Sequence, residues 1–105
     1  MVKFEQFKEL ELKVGRVKEA ERVEGSDKLL KLKVDLGGEE RQLLAGVGKV
    51  YSPEEMFGRE IVVVANLEPR MLMGMESQGM LLAASDGDPV LLRPDREVPP
   101  GSVVS

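Results

Sequence analysis

The sequence contains no cysteine, no histidine and no tryptophan. Without Cys or His there is no disulfide, no zinc site of the Cys/His kind, no thiolate nucleophile and no imidazole acid–base pair. Folding without a metal or cofactor is therefore expected. Aromatic rings are few: Phe4, Phe7, Tyr51 and Phe57. With no interleaving of aromatic and basic residues, they do not make a strong stacking platform for single-stranded nucleic acid. Phe57 is expected in the core. The longest apolar runs, Ile61 to Ala65 and Met80 to Ala84, are too short to span a bilayer. No charged start leads into an apolar stretch and a small-residue cleavage site. The expectation is a soluble, cytoplasmic protein with no membrane partner.

Excess positive charge is also lacking. The net charge is −4, which by itself opposes nucleic-acid binding, because neutralised phosphates supply most of the non-specific affinity. The distribution softens that objection. Residues 1–33 hold nine Lys/Arg against seven Asp/Glu, residues 34–69 three against seven, and residues 70–105 three against five. A local basic face on an acidic whole is possible. The 32% of charged residues, together with a single Asn and no Cys, lean toward a thermophilic source.

What is present is strand pattern. The 105 residues suit one domain spanning 1–105. Leu10, Leu12 and Val14 alternate with charged residues, and Val17 and Ala20 carry that segment onward past Gly15, where a bulge or bend is expected. Glu24 to Asp27 reads as a turn, with Asp27 as its capping side chain. Leu30, Leu32, Val34 and Leu36 alternate with Lys31, Lys33 and Asp35, and Gly37-Gly38 turns the chain into a third strand from Gln42 to Val47. Ser52-Pro53-Glu54-Glu55 is a helix start with cap, N1 proline and capping-box glutamate, and Gly58 stops it after little more than a turn. Ile61 to Leu67 reads as a strand covered on both faces. Residues 68–79 read as a Met-rich loop, Met80 to Ala84 and Val90 to Leu92 as the last strands, and the Pro-containing tail from Pro94 as mostly irregular. The order is all-β. It fits a five-stranded OB-fold Greek-key barrel with one short helix between strands three and four and a C-terminal extension.

Enzyme chemistry finds no support. Glu39-Glu40 and Glu54-Glu55 sit at a turn and a helix start, without the opposed geometry a carboxylate pair needs. Gly46-Val47-Gly48-Lys49 lacks the spacing of a phosphate loop and the hydroxyl residue after its lysine. A non-catalytic module is expected.

Four stretches resemble one family in order and spacing. They are Leu12 to Val17 (LKVGRV), Gly25 to Leu29 running into Lys33 to Gly37, Val64 to Arg70 (VANLEPR), and Gly74 to Ala84 (GMESQGMLLAA). They are similar to the tRNA-binding domain found at the C-terminus of methionyl-tRNA synthetases, as a free-standing β subunit, and in EMAP-II-like cytokine precursors. The resemblance implies a homodimeric OB barrel that binds tRNA by shape rather than sequence and raises a synthetase's hold on tRNA. On this view the chain is a free-standing subunit or an excised C-terminal domain, with tRNA, a second copy and the catalytic part of methionyl-tRNA synthetase as partners. It departs from many relatives at Met71, where they carry a Lys. Relatives on this scaffold also include a secretion-linked chaperone, so a protein-binding module is the competing expectation.

The candidate RNA contacts divide by chemistry. Lys31 and Lys33 share the outer face of a strand, and Lys28 sits beside the preceding turn; an ordinary solvated face explains them equally. Arg70 offers bidentate donors to phosphate, or a surface ion pair. Asn66 suits either a loop-ordering amide or a hydrogen bond to RNA. Ser77 and Gln78 can reach a 2′-hydroxyl, phosphate or base edge. Met80 can pack on a sugar or base, whereas Met71, Met73 and Met75 read as core filling. The loop from Asn66 to Met80 is expected to overhang the Lys31/Lys33 face as one surface.

Overall fold

The period-two segments form the expected barrel, seen in a computed structural model that describes all residues from Met1 to Ser105. Strand β1 (Leu12–Arg22) is long because it serves two neighbours. Its first half pairs antiparallel with β4 (Glu60–Val64) and its second half with β2 (Leu30–Asp35). Strand β2 turns through Gly37-Gly38 into β3 (Glu40–Ala45), and β4 pairs with β7 (Met80–Leu81). The order β3-β2-β1-β4-β7 makes the five staves of the OB barrel. Between β3 and β4 lies the one-turn helix α2 (Pro53–Met56). Every residue of β4 is buried, which explains its lack of alternation.

Alternation alone would not close a barrel. Closure comes from β3 meeting the segment before β7. The Gln78 amide donates to the Gln42 carbonyl (2.8 Å), and the Gln42 amide donates to the Gln78 side-chain oxygen (3.0 Å). Inside, Leu30, Leu32, Val34, Leu43, Met56, Ile61 and Val63 pack as the core. No helix of the structure is long and apolar enough to cross a membrane.

Four features differ from expectation. A short helix, α1 (Phe4–Lys8), precedes β1 and buries none of its residues. The irregularity in β1 falls at Lys18, which the pairing with β2 skips between Val17 and Glu19, not at Gly15. Gly15 is required for packing instead: a Cβ there would lie 2.4 Å from Val34 Cγ1. In the turn after β1, Ser26 rather than Asp27 accepts the backbone amides, those of Lys28 (3.3 Å) and Leu29 (3.1 Å). Residues 68–79 are not an irregular loop, since they contain the hairpin β5 (Arg70–Leu72) and β6 (Met75–Ser77). A second hairpin, β8 (Ala83–Asp86) with β9 (Asp88–Leu91), follows β7. The tail then returns as β10 (Val103–Val104) along the edge of β1 that β2 leaves open, at Leu12 and Lys13.

Candidate nucleic-acid interface

The β-bulge at Lys18 twists β1 so that Lys18, Glu19 and Glu21 line a hollow of about 410 Å³ together with Lys31 and Lys33 of β2. Lys31 and Lys33 do lie on the outer strand face. Each is matched across the ladder by a glutamate: Lys31 Nζ to Glu21 at 3.3 Å and Lys33 Nζ to Glu19 at 3.4 Å. Such exposed pairs are worth ~0–1 kcal/mol, so a phosphate can displace the carboxylates at little cost.

Phe57 stands in the wall of the same hollow and is 68% exposed, contrary to its expected place in the core. The cause is geometric. Met56, the last helical residue, takes the inward direction, and Phe57 leaves the helix at its C-cap with ψ 126°. The turn itself is firmly capped: Ser52 Oγ accepts from the Glu55 amide (3.1 Å) and the Ser52 amide donates to Glu55 Oε1 (3.0 Å). The bond from the Ser52 amide, then that from its hydroxyl, holds the Glu55 carboxyl below its usual range. A lowered carboxyl pKa means that the contribution of the charged Glu55 to the cap is present at neutral pH and is lost as acid carries the pH down through that lowered value, while the bond from the Glu55 amide to Ser52 Oγ does not titrate.

The β5–β6 hairpin overhangs this face. Met73 and Met75 share a hollow of about 240 Å³ with Glu21, Arg22 and Lys31. Its two-residue turn has Met73 at φ 50° and Gly74 at φ 78°, the positive-φ pair of a type I′ turn. Glycine adopts that region freely; methionine does not. Met73→Asn, which suits the position, should therefore raise stability by about 0.5–1 kcal/mol in urea unfolding. An unchanged midpoint would show that the Met73 side chain offsets its own backbone strain.

The remaining candidates separate into free and occupied groups. Arg70 is exposed on β5 and has no carboxylate or hydrogen-bond partner. Lys28 is exposed beside Gly46, and its carbonyl accepts from the Gly48 amide (2.7 Å). Met80 is half-buried on β7, opposite Val64. Three others are bonded within the chain. Ser77 is 2% exposed, and its hydroxyl accepts from the Leu44 amide (3.1 Å) and donates to the Gly79 carbonyl (3.0 Å). It faces the barrel wall. Asn66 accepts from the Glu11 amide (2.8 Å) and donates to the Glu9 carbonyl (2.7 Å), which ties the N-terminal segment to the end of β4. Gln78 has its oxygen on Gln42 and its nitrogen on Glu76 (3.0 Å). All three position the hairpin or its neighbours.

Two residues that carry this arrangement were not legible beforehand. The Arg41 guanidinium donates to the Ala65 carbonyl and to the Gln78 carbonyl (3.3 Å), and Arg22 donates to the Gly48 carbonyl (2.7 Å). Their partners are backbone groups distant in sequence, and no local pattern announces them.

The geometry is thus a shallow, mixed-charge face beneath a hairpin that carries an unpaired arginine. Over residues 12–103 the chain matches the family model described as "Putative tRNA binding domain". The chain belongs to the tRNA-binding domain family. The domain is 62% identical over 102 residues to a methionine–tRNA ligase of Methanothrix thermoacetophila, a match covering 96% of the domain and 15% of that protein. It is 54% identical over 104 residues to that of Pyrococcus furiosus, covering 98% and 14%. The domain therefore spans only a small part of the length of these relatives. Among solved structures it is similar to a MetRS-related protein from Pyrococcus horikoshii, with TM-score 0.93, 39% identity and 100% and 98% of the two chains covered. It is also similar to the chaperone CsaA from Bacillus anthracis, with TM-score 0.92, 35% identity and 100% and 99% covered.

Proposed function

We propose that this domain binds tRNA through shape and backbone, without catalysis of its own, and strengthens the grip of a methionyl-tRNA synthetase on its tRNA. Membership of the tRNA-binding family across nearly the whole domain carries the reading. The overhung face supports it: Lys28, Lys31, Lys33 and Arg70 are the phosphate contacts, Met80 packs on a sugar or base, and Asn66, Ser77 and Gln78 hold the surface in shape. Two of the lysines are tied to glutamates, which suits a weak contact repeated over a large structured RNA better than tight reading of a sequence. The domain acts in the cytoplasm, either as an appended C-terminal domain or as a separate subunit.

A second copy completes the surface. Phe4, Phe7, Leu10, Val103 and Val104 line an apolar hollow of about 400 Å³ where α1 meets β10. Helix α1 finds no cover within its own chain, and a small barrel gains most from burying such a face against its twin. A two-fold dimer also doubles the basic face and adds avidity. Sedimentation at micromolar concentration should show a dimer; a monomer removes this part of the reading.

The likeness to CsaA favours one competing reading, capture of apolar polypeptide. Salt separates the two. A mobility shift with total tRNA should weaken steeply between low and moderate salt, with a slope that falls by about one unit on Lys33→Gln or Arg70→Gln. Absent or salt-insensitive tRNA binding, with salt-insensitive retention of an unfolded protein, would favour the chaperone-like function instead.

A further inference from the structure

The Phe57–Gly58 peptide is the shared rim of two hollows. On one side Phe57 closes the hollow that contains Lys18, Lys31 and Lys33. On the other, Gly58 and Arg59 open onto a hollow of about 310 Å³, lined mostly by charged side chains, that also receives Arg93 and Arg96. We propose that the two hollows together hold one unstacked nucleotide of an RNA, with its base on the Phe57 ring and an adjoining phosphate on the arginines. The inference rests on the RNA-binding reading above and extends the Lys31/Lys33 face past Phe57 to the arginine hollow beyond it.

The ring is presented, not merely left outside. The Phe57 amide donates to the Pro53 carbonyl (3.1 Å), the Gly58 amide to the Val17 carbonyl (2.9 Å) and the Arg59 amide to the Met56 carbonyl (3.0 Å). The backbone is thus fixed on both sides of a largely exposed aromatic ring, an arrangement that forfeits most of its burial. What surrounds the ring is charged, so the hollow suits a base with its phosphates better than an apolar peptide. Lys18 has no carboxylate partner, and Glu19 and Glu21 can accept hydrogens from the amino groups of a base. Stacking on an aromatic face tolerates any base, in keeping with recognition that does not read sequence.

The arginine hollow supplies the matching charge. Arg16 is committed to Glu60 (3.5 Å) and Glu97. Arg59 lies over the Tyr51 ring (5.1 Å) and gives its Nε to the Glu55 carbonyl (3.4 Å), which sets its plane while its terminal nitrogens stay unbonded. Arg93 and Arg96 make neither ion pair nor hydrogen bond, and Asp95 is the one unpaired acid beside them. Two guanidinium groups without a partner, beside the terminal nitrogens of Arg59, on a chain of net charge −4, are suited to a phosphate held bidentately. The two hollows lie one peptide apart, and a nucleotide carries base and phosphate on the same sugar.

The test uses total tRNA and the intact chain. The protein has no tryptophan, so F57W introduces a single reporter whose emission should be quenched as tRNA is added. F57A should bind tRNA roughly 5- to 150-fold more weakly, the loss of one base–aromatic stack, with salt slope and melting temperature unchanged. F57L keeps apolar bulk without the aromatic face and should be as weak as F57A. Joint replacement R93Q/R96Q should lower the salt slope by about two units. If the parent binds tRNA while F57A and R93Q/R96Q bind equally well, this site is overturned and the broader reading stands. F57L binding like the parent, or F57A altering only the oligomeric state, also overturns it. A parent that binds no tRNA overturns both.

Discussion

Arg16→Met is expected to destabilise the domain by about 3 kcal/mol, a large share of the ~5–15 kcal/mol that holds a domain of this size. Arg16 on β1 stands opposite Glu60 on β4. Glu60 is 8% exposed, and only one of its oxygens has a hydrogen bond, from the Val98 amide at 2.9 Å. Its other oxygen is buried without one and has only the Arg16 guanidinium, at 3.5 Å, to offset its charge. Removing Arg16 leaves a buried carboxylate uncompensated, with the like charge of Glu97 nearby. The estimate is set at the low end for breaking a buried pair because the Arg16 side chain is 27% exposed and water replaces part of its effect.

Thermal unfolding should register this as a fall in Tm of roughly 12–24 °C, at 4–8 °C per kcal/mol for a domain this small. The double variant Arg16→Met with Glu60→Leu should regain most of the loss, since a buried pair replaced by apolar groups is often neutral. An Arg16→Met Tm within two degrees of the parent would show that Glu60 needs no counter-charge. The same carboxylate anchors the C-terminal extension through Val98, so the single variant should also expose residues 97–104 to protease before the barrel opens.

The barrel was legible because its strands are written locally. Leu30, Leu32, Val34 and Leu36 commit β2 to one face by period alone, and Ser52-Pro53-Glu54-Glu55 states the start of α2 in adjacent residues. The misses share a different cause. The hairpin turn at Met73-Gly74 uses methionine where Asn would signal a type I′ turn, so the strands flanking it read as loop. Helix α1 is capped by the Gln6 side chain accepting from the Lys3 amide (2.9 Å), without the Ser, Thr or Asp that marks a start. The site residues were ambiguous for a third reason. Whether Ser77, Asn66 and Gln78 face RNA or their own backbone depends on partners 33 to 57 residues away in the chain. Residue type shows that a hydroxyl or amide can bond; it does not show that Leu44, Glu9 or Gln42 will arrive first. The same holds for Lys31 and Lys33, whose glutamates become neighbours only through the shifted register after Lys18.

Arg41 is where that long-range bonding is most concentrated, and its loss should affect both stability and binding. Its guanidinium joins three elements: it sits on β3, donates to the Ala65 carbonyl beyond β4, and donates to the Gln78 carbonyl between β6 and β7. Glu39 at 3.2 Å holds it in that orientation. Arg41→Met should destabilise the domain by about 2–3 kcal/mol, the loss of two charge-assisted bonds discounted for water that can reach the freed carbonyls. Because these bonds close the barrel, the Leu44 and Gln78 amides should exchange hydrogen faster than those of β1 and β2, well before global unfolding. The β5–β6 hairpin hangs from the same clasp, so Arg70 loses its fixed direction and tRNA affinity should fall several-fold. A positioning role and a contact role then differ in salt response. If Arg41 only positions the hairpin, the salt slope of tRNA binding stays as in the parent. Arg41→Lys, which keeps the charge but cannot span both carbonyls, should be nearly as unstable as Arg41→Met. A slope lowered by one unit with stability intact would instead place Arg41 against phosphate and remove it from the closure of the barrel.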